Sequence, residues 1–244
     1  MSTERLDKFI ATQNNLPRRE ARQIISRGKV SVNGALVRAF DTRIDPDKDV
    51  VALDGKQIVF KKYIYLVMNK PKGVLSATSD KRQNTVLDLV PGNLKRKELF
   101  PVGRLDKDTT GLLLITDDGE FAHRVISPKS NISKRYIVEL DGEISNEVVD
   151  EFNKGVVLHD GTKCLPAELI VNSENRRQAE VTIMEGKYHQ IKRMFGVYTL
   201  GVVELHRKSI GQFSLDENLK TGECREVTVD ELSLIYKEYS NLNE

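Results

Sequence analysis

The sequence predicts an α+β chain, and three observations carry that expectation. Helical and strand-like segments mix without the regular β-α-β beat of a doubly wound sheet. Five consecutive residues without a polar side chain, Gly111 to Ile115, follow a polar turn and read as a strand covered on both faces. Near the N-terminus, Asn33-Gly34 and Asp54-Gly55 each sit between short β-rich runs, the signal of two tight hairpins.

The first helix is expected over about Thr3 to Gln13, where Leu6, Phe9 and Ile10 recur at helical spacing. A second opens with Pro17 in its first turn, buries Ala21, Ile24 and Ile25, and stops at Gly28. Its other face is basic, carrying Arg18, Arg19, Arg22 and Arg27, with Lys29 just beyond. The hairpin arms are Lys29–Val32 with Ala35–Val37, and Val50–Leu53 with Lys56–Val59. Phe60-Lys61-Lys62 reads as a linker, which divides the chain into domains 1–60 and 61–244. Tyr63 to Met68 is then a strand, broken by Asn69-Lys70-Pro71-Lys72-Gly73. Residues 80–98 are polar around Val86 to Val90, either a short helix or a loop bordering a cleft. Glu120 to Ile126 is a helix closed by Ser127-Pro128, and Lys134 to Asp141 alternates as a strand. Ser145 caps a helix reaching about Lys154, Gln178 to Met184 is another alternating strand, and His189 to Met194 is a helix.

At 244 residues and 39% hydrophobic content, the chain can bury a core in one large domain or two smaller ones. Cys164 and Cys224 lie sixty residues apart, which excludes zinc-finger spacing, argues against a disulfide framework and suits reduced thiols in the cytoplasm. No signal-peptide core and no bilayer-length apolar run is present, so a cytoplasmic protein without membrane partners is expected. The net charge of +2 is unevenly spread: residues 1–62 hold 13 Lys and Arg against 8 Asp and Glu, and the remainder 25 against 28. A basic module on a near-neutral body fits a polyanion contact confined largely to one end.

A cationic helix followed by Ser26-Arg27-Gly28-Lys29-Val30-Ser31-Val32-Asn33-Gly34 resembles the S4 RNA-binding domain, over roughly residues 3 to 58. The resemblance implies a small αααβ-like unit whose Arg18, Arg19, Arg22, Arg27 and Lys29 meet phosphates of structured RNA. The polar turn before the buried strand, Gly103-Arg104-Leu105-Asp106-Lys107-Asp108-Thr109-Thr110-Gly111, carries one carboxylate at the head of a rigid element. Its Arg-Leu-Asp, Thr-x-Gly and apolar run resemble the catalytic motif of RNA pseudouridine synthases. Lys70-Pro71-Lys72-Gly73, Ser133-Lys134-Arg135-Tyr136, Gly186-Lys187-Tyr188-His189-Gln190-Ile191-Lys192 and Leu205-His206-Arg207-Lys208-Ser209-Ile210-Gly211 match further motifs of that family. The resemblance implies a mixed, mainly antiparallel catalytic sheet, with Asp106 as the catalytic carboxylate and Arg104 beside it. It also implies Tyr136 stacked on the target base, Lys192 paired with Asp106 to keep it ionised, and Leu205 and His189 lining the base pocket. Lys70 and Lys72 are expected to reach the RNA backbone.

Uridine and pseudouridine are isomers, so no cofactor is expected, and no residue cluster has metal-ligand spacing. Asp106 acts either as nucleophile or as a base toward a ribose proton; the residues leave both open. The N-terminal module with Gly-Arg-Leu-Asp-x-x-Thr-x-Gly-Leu-Leu-Leu is similar to the ribosomal RNA group of these enzymes. Leu114-Ile115-Thr116-Asp117-Asp118-Gly119, His123-Arg124 and Ser127-Pro128 point to its members that modify bacterial 16S RNA, naked or in a partly assembled subunit. Nothing in the sequence suggests an obligate dimer, and a monomer is expected. The competing readings are a 23S synthase of the same architecture and a non-catalytic S4-type ribosome-associated protein.

Overall fold

Pro17 and Gly28 bound the basic helix as their backbones dictate: Pro17 caps its start and Gly28 leaves it at φ +74°. The computed structural model describes residues 3–236. The chain separates into two units, Met1–Ile64 with Pro91–Glu98, and Tyr65–Val90 with Leu99–Glu244.

The first unit runs β1 (Glu4–Arg5), α1 (Leu6–Gln13), α2 (Arg18–Ser26), β2 (Val30–Val32), β3 (Ala35–Val37), β4 (Arg43–Ile44), β5 (Val51–Leu53) and β6 (Lys56–Gln57). Its described residues form two α-helices, not the three of an αααβ-like plan. Nor does α1 begin at Thr3: Glu4 and Arg5 pair with Ile44 and Arg43, and the amides of Leu6 and Asp7 donate to the Thr42 and Phe40 carbonyls at 2.8 and 3.0 Å. Those loop carbonyls satisfy donors that a helix's first turn leaves open, so the helix starts later than periodicity alone suggests. Asn33 and Gly34, at φ +51° and +83°, make the turn that joins β2 to β3, and β2 also pairs with β5. The core is built from Leu6, Phe9, Ile10, Ala21, Ile25 and Val51.

The second unit runs β7 (Tyr65–Lys70), β8 (Phe100–Pro101), β9 (Thr110–Thr116), α3 (Gly119–Ile126), β10 (Lys134–Leu140), α4 (Asn146–Lys154), β11 (Glu168–Val171), β12 (Gln178–Ile183), α5 (Gln190–Gly196), β13 (Val202–Ile210), β14 (Phe213–Ser214), β15 (Cys224–Glu226) and α6 (Val229–Ile235). The main path of its sheet is β11-β12-β10-β13-β9-β7-β15, and every strand pair is antiparallel except β9 with β13. Leu112 to Ile115 are all buried, Leu112 and Leu114 within a core that also holds Phe121, Val125, Ile210, Leu232 and Ile235. β7 starts at Tyr65 and continues through Asn69 and Lys70, because both stay paired with β9, at Leu112 and Gly111. Val86–Leu89 forms a short 3-10 turn capped by Thr85, and Ser145 caps α4 through the Val148 amide. No helix among the described residues is long and apolar enough to cross a membrane.

Candidate active site

The site grows from the parallel junction of β9 and β13, where Gly111 pairs with Arg207 and Thr110 with His206. A Cβ on Gly111 would lie 2.4 Å from the Arg207 carbonyl oxygen, and its φ of +98° suits glycine alone. This close approach brings the Arg104–Thr109 turn, which feeds β9, beside Leu205 on β13. Asp106 stands ahead of the strand rather than on it: the Thr109 amide donates to the Asp106 carbonyl at 3.1 Å, closing a turn before β9 begins. Leu105 between them is buried, while Arg104 and Asp106 line a common cavity.

Lys70 holds that turn from beneath. Its side chain is 0% exposed, and its ammonium donates to the carbonyls of Pro71, Asp106, Lys107 and Thr109 at 2.9 to 3.4 Å. The expectation that Lys70 reaches the RNA backbone is therefore wrong: four inward carbonyls are its partners. Burial pushes its pKa down to about 8, against the pull of Asp108 and Asp106. Lys72 is half-exposed and pairs with Glu204.

The opposite wall comes from α5 and the loop before it. His189 precedes the helix in a left-handed conformation, φ +48°, so α5 starts at Gln190 and not at His189. Gln190 is the latch: its amide group donates to Glu185 at 2.9 Å and its carbonyl oxygen accepts from the Lys187 amide at 2.9 Å. Glu185 is buried, and although burial alone would raise its pKa, Lys187 and the Leu165 amide hold it below the usual value. The latched loop places His189 Nε2 3.4 Å from Asp106 Oδ1 and Lys192 Nζ 3.5 Å from Asp106 Oδ2. Lys192 lies nearer to Asp108, at 2.6 and 2.7 Å. That hydrogen bond chiefly lowers the Asp108 pKa. In the sequence Asp108 carries no distinguishing signal, being a second acid two positions from Asp106 in a polar turn.

Asp106, Arg104, Tyr136, Leu205, His189 and Lys192 surround one cavity of about 90 Å³. Tyr136 and Leu205 are buried on neighbouring strands, β10 and β13, whose side chains alternate across the sheet. Among the described residues no group of three or more His, Cys, Asp or Glu could hold a metal ion.

In the first unit, Arg19, Arg27 and Lys29 are exposed, with Lys29 3.2 Å from Asp54. Arg18 and Arg22 do more than face solvent: both, with Arg5, bond the carboxylate of Asp7, which is 0% exposed. Burial alone would raise that carboxyl, but the three guanidinium groups outweigh it and hold it well below the usual range. Arg22 also sits 5.1 Å from the centre of the Phe40 ring, in cation–π range.

A catalytic sheet with a lone carboxylate in a small basic-rimmed cavity, joined to a cationic helix-and-hairpin module, defines an RNA-modifying enzyme. Residues 64–196 match the RNA pseudouridylate synthase family and residues 4–50 the S4 domain. The chain belongs to the RNA pseudouridine synthases with an N-terminal S4 domain, and it is an isomerase. It is 43% identical over 233 residues to the uncharacterized RNA pseudouridine synthase YtzG of Bacillus subtilis (strain 168), covering 95% of this chain and 98% of that one. It is 40% identical over 232 residues to ribosomal small subunit pseudouridine synthase A of Escherichia coli (strain K12), covering 95% and 99%. The crystal structure of a pseudouridylate synthase, 34% identical, superposes with a TM-score of 0.65 over 95% of this chain and 99% of that one.

Proposed function

We propose that this chain, acting as a cytoplasmic monomer, isomerises a uridine of bacterial 16S ribosomal RNA to pseudouridine. Residues 1–60 serve as its RNA-binding domain and residues 61–244 as its catalytic domain. The observation that carries the reading is the convergence of Asp106 with Tyr136, Leu205, His189 and Lys192 around one cavity. The small-subunit target is supported by relatives of that name, which align over nearly the whole chain.

The reaction breaks the bond from ribose C1′ to N1 of uracil, joins C1′ to C5, removes the C5 proton and protonates N1. Asp106 acts at the ribose, as nucleophile or as base. Lys192 and His189 hold the Asp106 carboxylate in place through contacts at 3.5 and 3.4 Å. Tyr136 and Leu205 hold the detached uracil while it turns. The target base must leave the RNA stack to enter the cavity, and Arg104 at the rim supports the strand it vacates. The exposed cations of α2 and Lys29 bind phosphates.

The test uses 16S transcript, 23S transcript and small-subunit assembly intermediates carrying tritium at uridine C5. The wild-type chain releases tritium from 16S RNA or its assembly intermediate, and Asp106→Asn abolishes release while RNA still binds. Release from 23S RNA alone would move the target to the large subunit, and release from none would sink the reading.

A further inference from the structure

The wall of the cavity includes Thr109, a residue that the mechanism above leaves unused. Among the described residues, two buried side-chain polar atoms have no hydrogen-bond partner: Thr109 Oγ1 and Arg207 Nη2. Thr109 lines the Asp106 cavity; Arg207 does not. Thr109 is 1% exposed. A hydroxyl that deep costs free energy when unpaired, and folding ordinarily finds it a partner.

Local geometry explains why this one has not found any within the protein. The Thr109 amide is bonded to the Asp106 carbonyl at 3.1 Å, and its own carbonyl accepts from Lys70 at 2.9 Å. Both ends of the residue are thereby fixed, and a β-branched side chain on fixed backbone has few rotamers to explore. The hydroxyl is held within the same turn as the Asp106 carboxylate.

We propose that Thr109 Oγ1 hydrogen-bonds the target nucleoside in the cavity. The partner is a polar group of the ribose–uracil unit, and Thr109 is a substrate-positioning residue for the isomerisation. The proposal rests on the reading of this cavity as the active site. A group unpaired in the free protein and paired with substrate contributes to catalysis at the expense of stability, so the two properties move in opposite directions when it is removed.

The test compares Thr109→Val, which keeps the shape and deletes the hydroxyl, with Thr109→Ser, which keeps the hydroxyl. Thermal unfolding and kcat/KM for tritium release are measured on the full chain, with Asp106→Asn as the inactive control. Thr109→Val is expected to unfold at or above the wild-type temperature and to lose about 10-fold or more in kcat/KM, with Thr109→Ser retaining most activity. Full activity in Thr109→Val overturns the proposal. So does a lower unfolding temperature in Thr109→Val that Thr109→Ser restores, since the hydroxyl would then be bonded in the free protein. Both outcomes leave Asp106 in place; release by Asp106→Asn would instead strike the active-site reading and the proposal together.

Discussion

Lys70 shows how one buried cation can be mistaken for a surface one. In Lys70-Pro71-Lys72-Gly73 it stands beside turn residues, where a lysine ordinarily reaches water. Its strand instead runs two residues further and carries the ammonium under the Asp106–Thr109 turn. An ammonium has three protons, and here carbonyl oxygens replace the water that would otherwise solvate them. Lys70→Met, close in volume, removes the donor and leaves those carbonyls short of a partner. A loss of about 2–3 kcal/mol in urea unfolding is expected, with a fall in kcat as the turn bearing Asp106 loosens. The salt dependence of RNA binding stays as in the wild type, whereas a phosphate contact would flatten it. Asp106 itself was legible because its whole motif is contiguous. Asp108 acts through Lys192, 84 residues away in the chain, and its role is invisible until that partner is in place.

Among the elements, α2 answers two demands with one basic face. Arg18 and Arg22 neutralise buried Asp7 on α1, while Arg19 and Arg27 are exposed. The periodicity that identified the helix gave its apolar and basic faces correctly, yet it treated its arginines alike. Asp7 distinguishes them, eleven and fifteen residues away in sequence. Arg19→Ala with Arg27→Ala is therefore expected to weaken RNA binding and reduce its salt slope by about 1 per lost phosphate contact, at unchanged thermal stability. Arg18→Ala with Arg22→Ala should weaken binding and also lower the unfolding temperature, because Asp7 is left buried with less compensation. Equal stability of the two double variants would deny Asp7 its structural role. The α1 start and both ends of β7 differ from the sequence pattern for a related reason: amphipathic patterning locates faces well and ends poorly, and tertiary hydrogen bonds set the ends.

For the whole molecule, the carboxylates predict how it meets acid. Asp7, Asp108, Glu185 and Glu231 all lie below their ordinary values of 3.8 or 4.5 in the fold. The folded state thus binds fewer protons than the unfolded one, so their stabilisation is complete above those ordinary values and is lost as pH falls toward the folded ones. His206 adds in the same direction below its ordinary 6.5, because burial keeps its ring neutral in the fold. Urea-unfolding free energies should fall from pH 7 to pH 3, and Asp7→Asn should flatten the steepest part below about pH 4. A stability that is flat or rising toward pH 3 contradicts this assignment.

The sequence by itself determined the α+β class, the two hairpins of the first unit, the doubly covered strand and the motif set around Asp106, because these rest on local periodicity, turn chemistry and contiguous residues. The tertiary structure alone decided that β9 meets β13 in parallel at Gly111, that Lys70 faces inward, that Lys192 is shared between two carboxylates, and that Thr109, in the cavity wall, keeps a buried hydroxyl without a protein partner. Each of those depends on groups brought together across tens of residues, where close packing and desolvation choose the partner and local sequence carries no record of the choice.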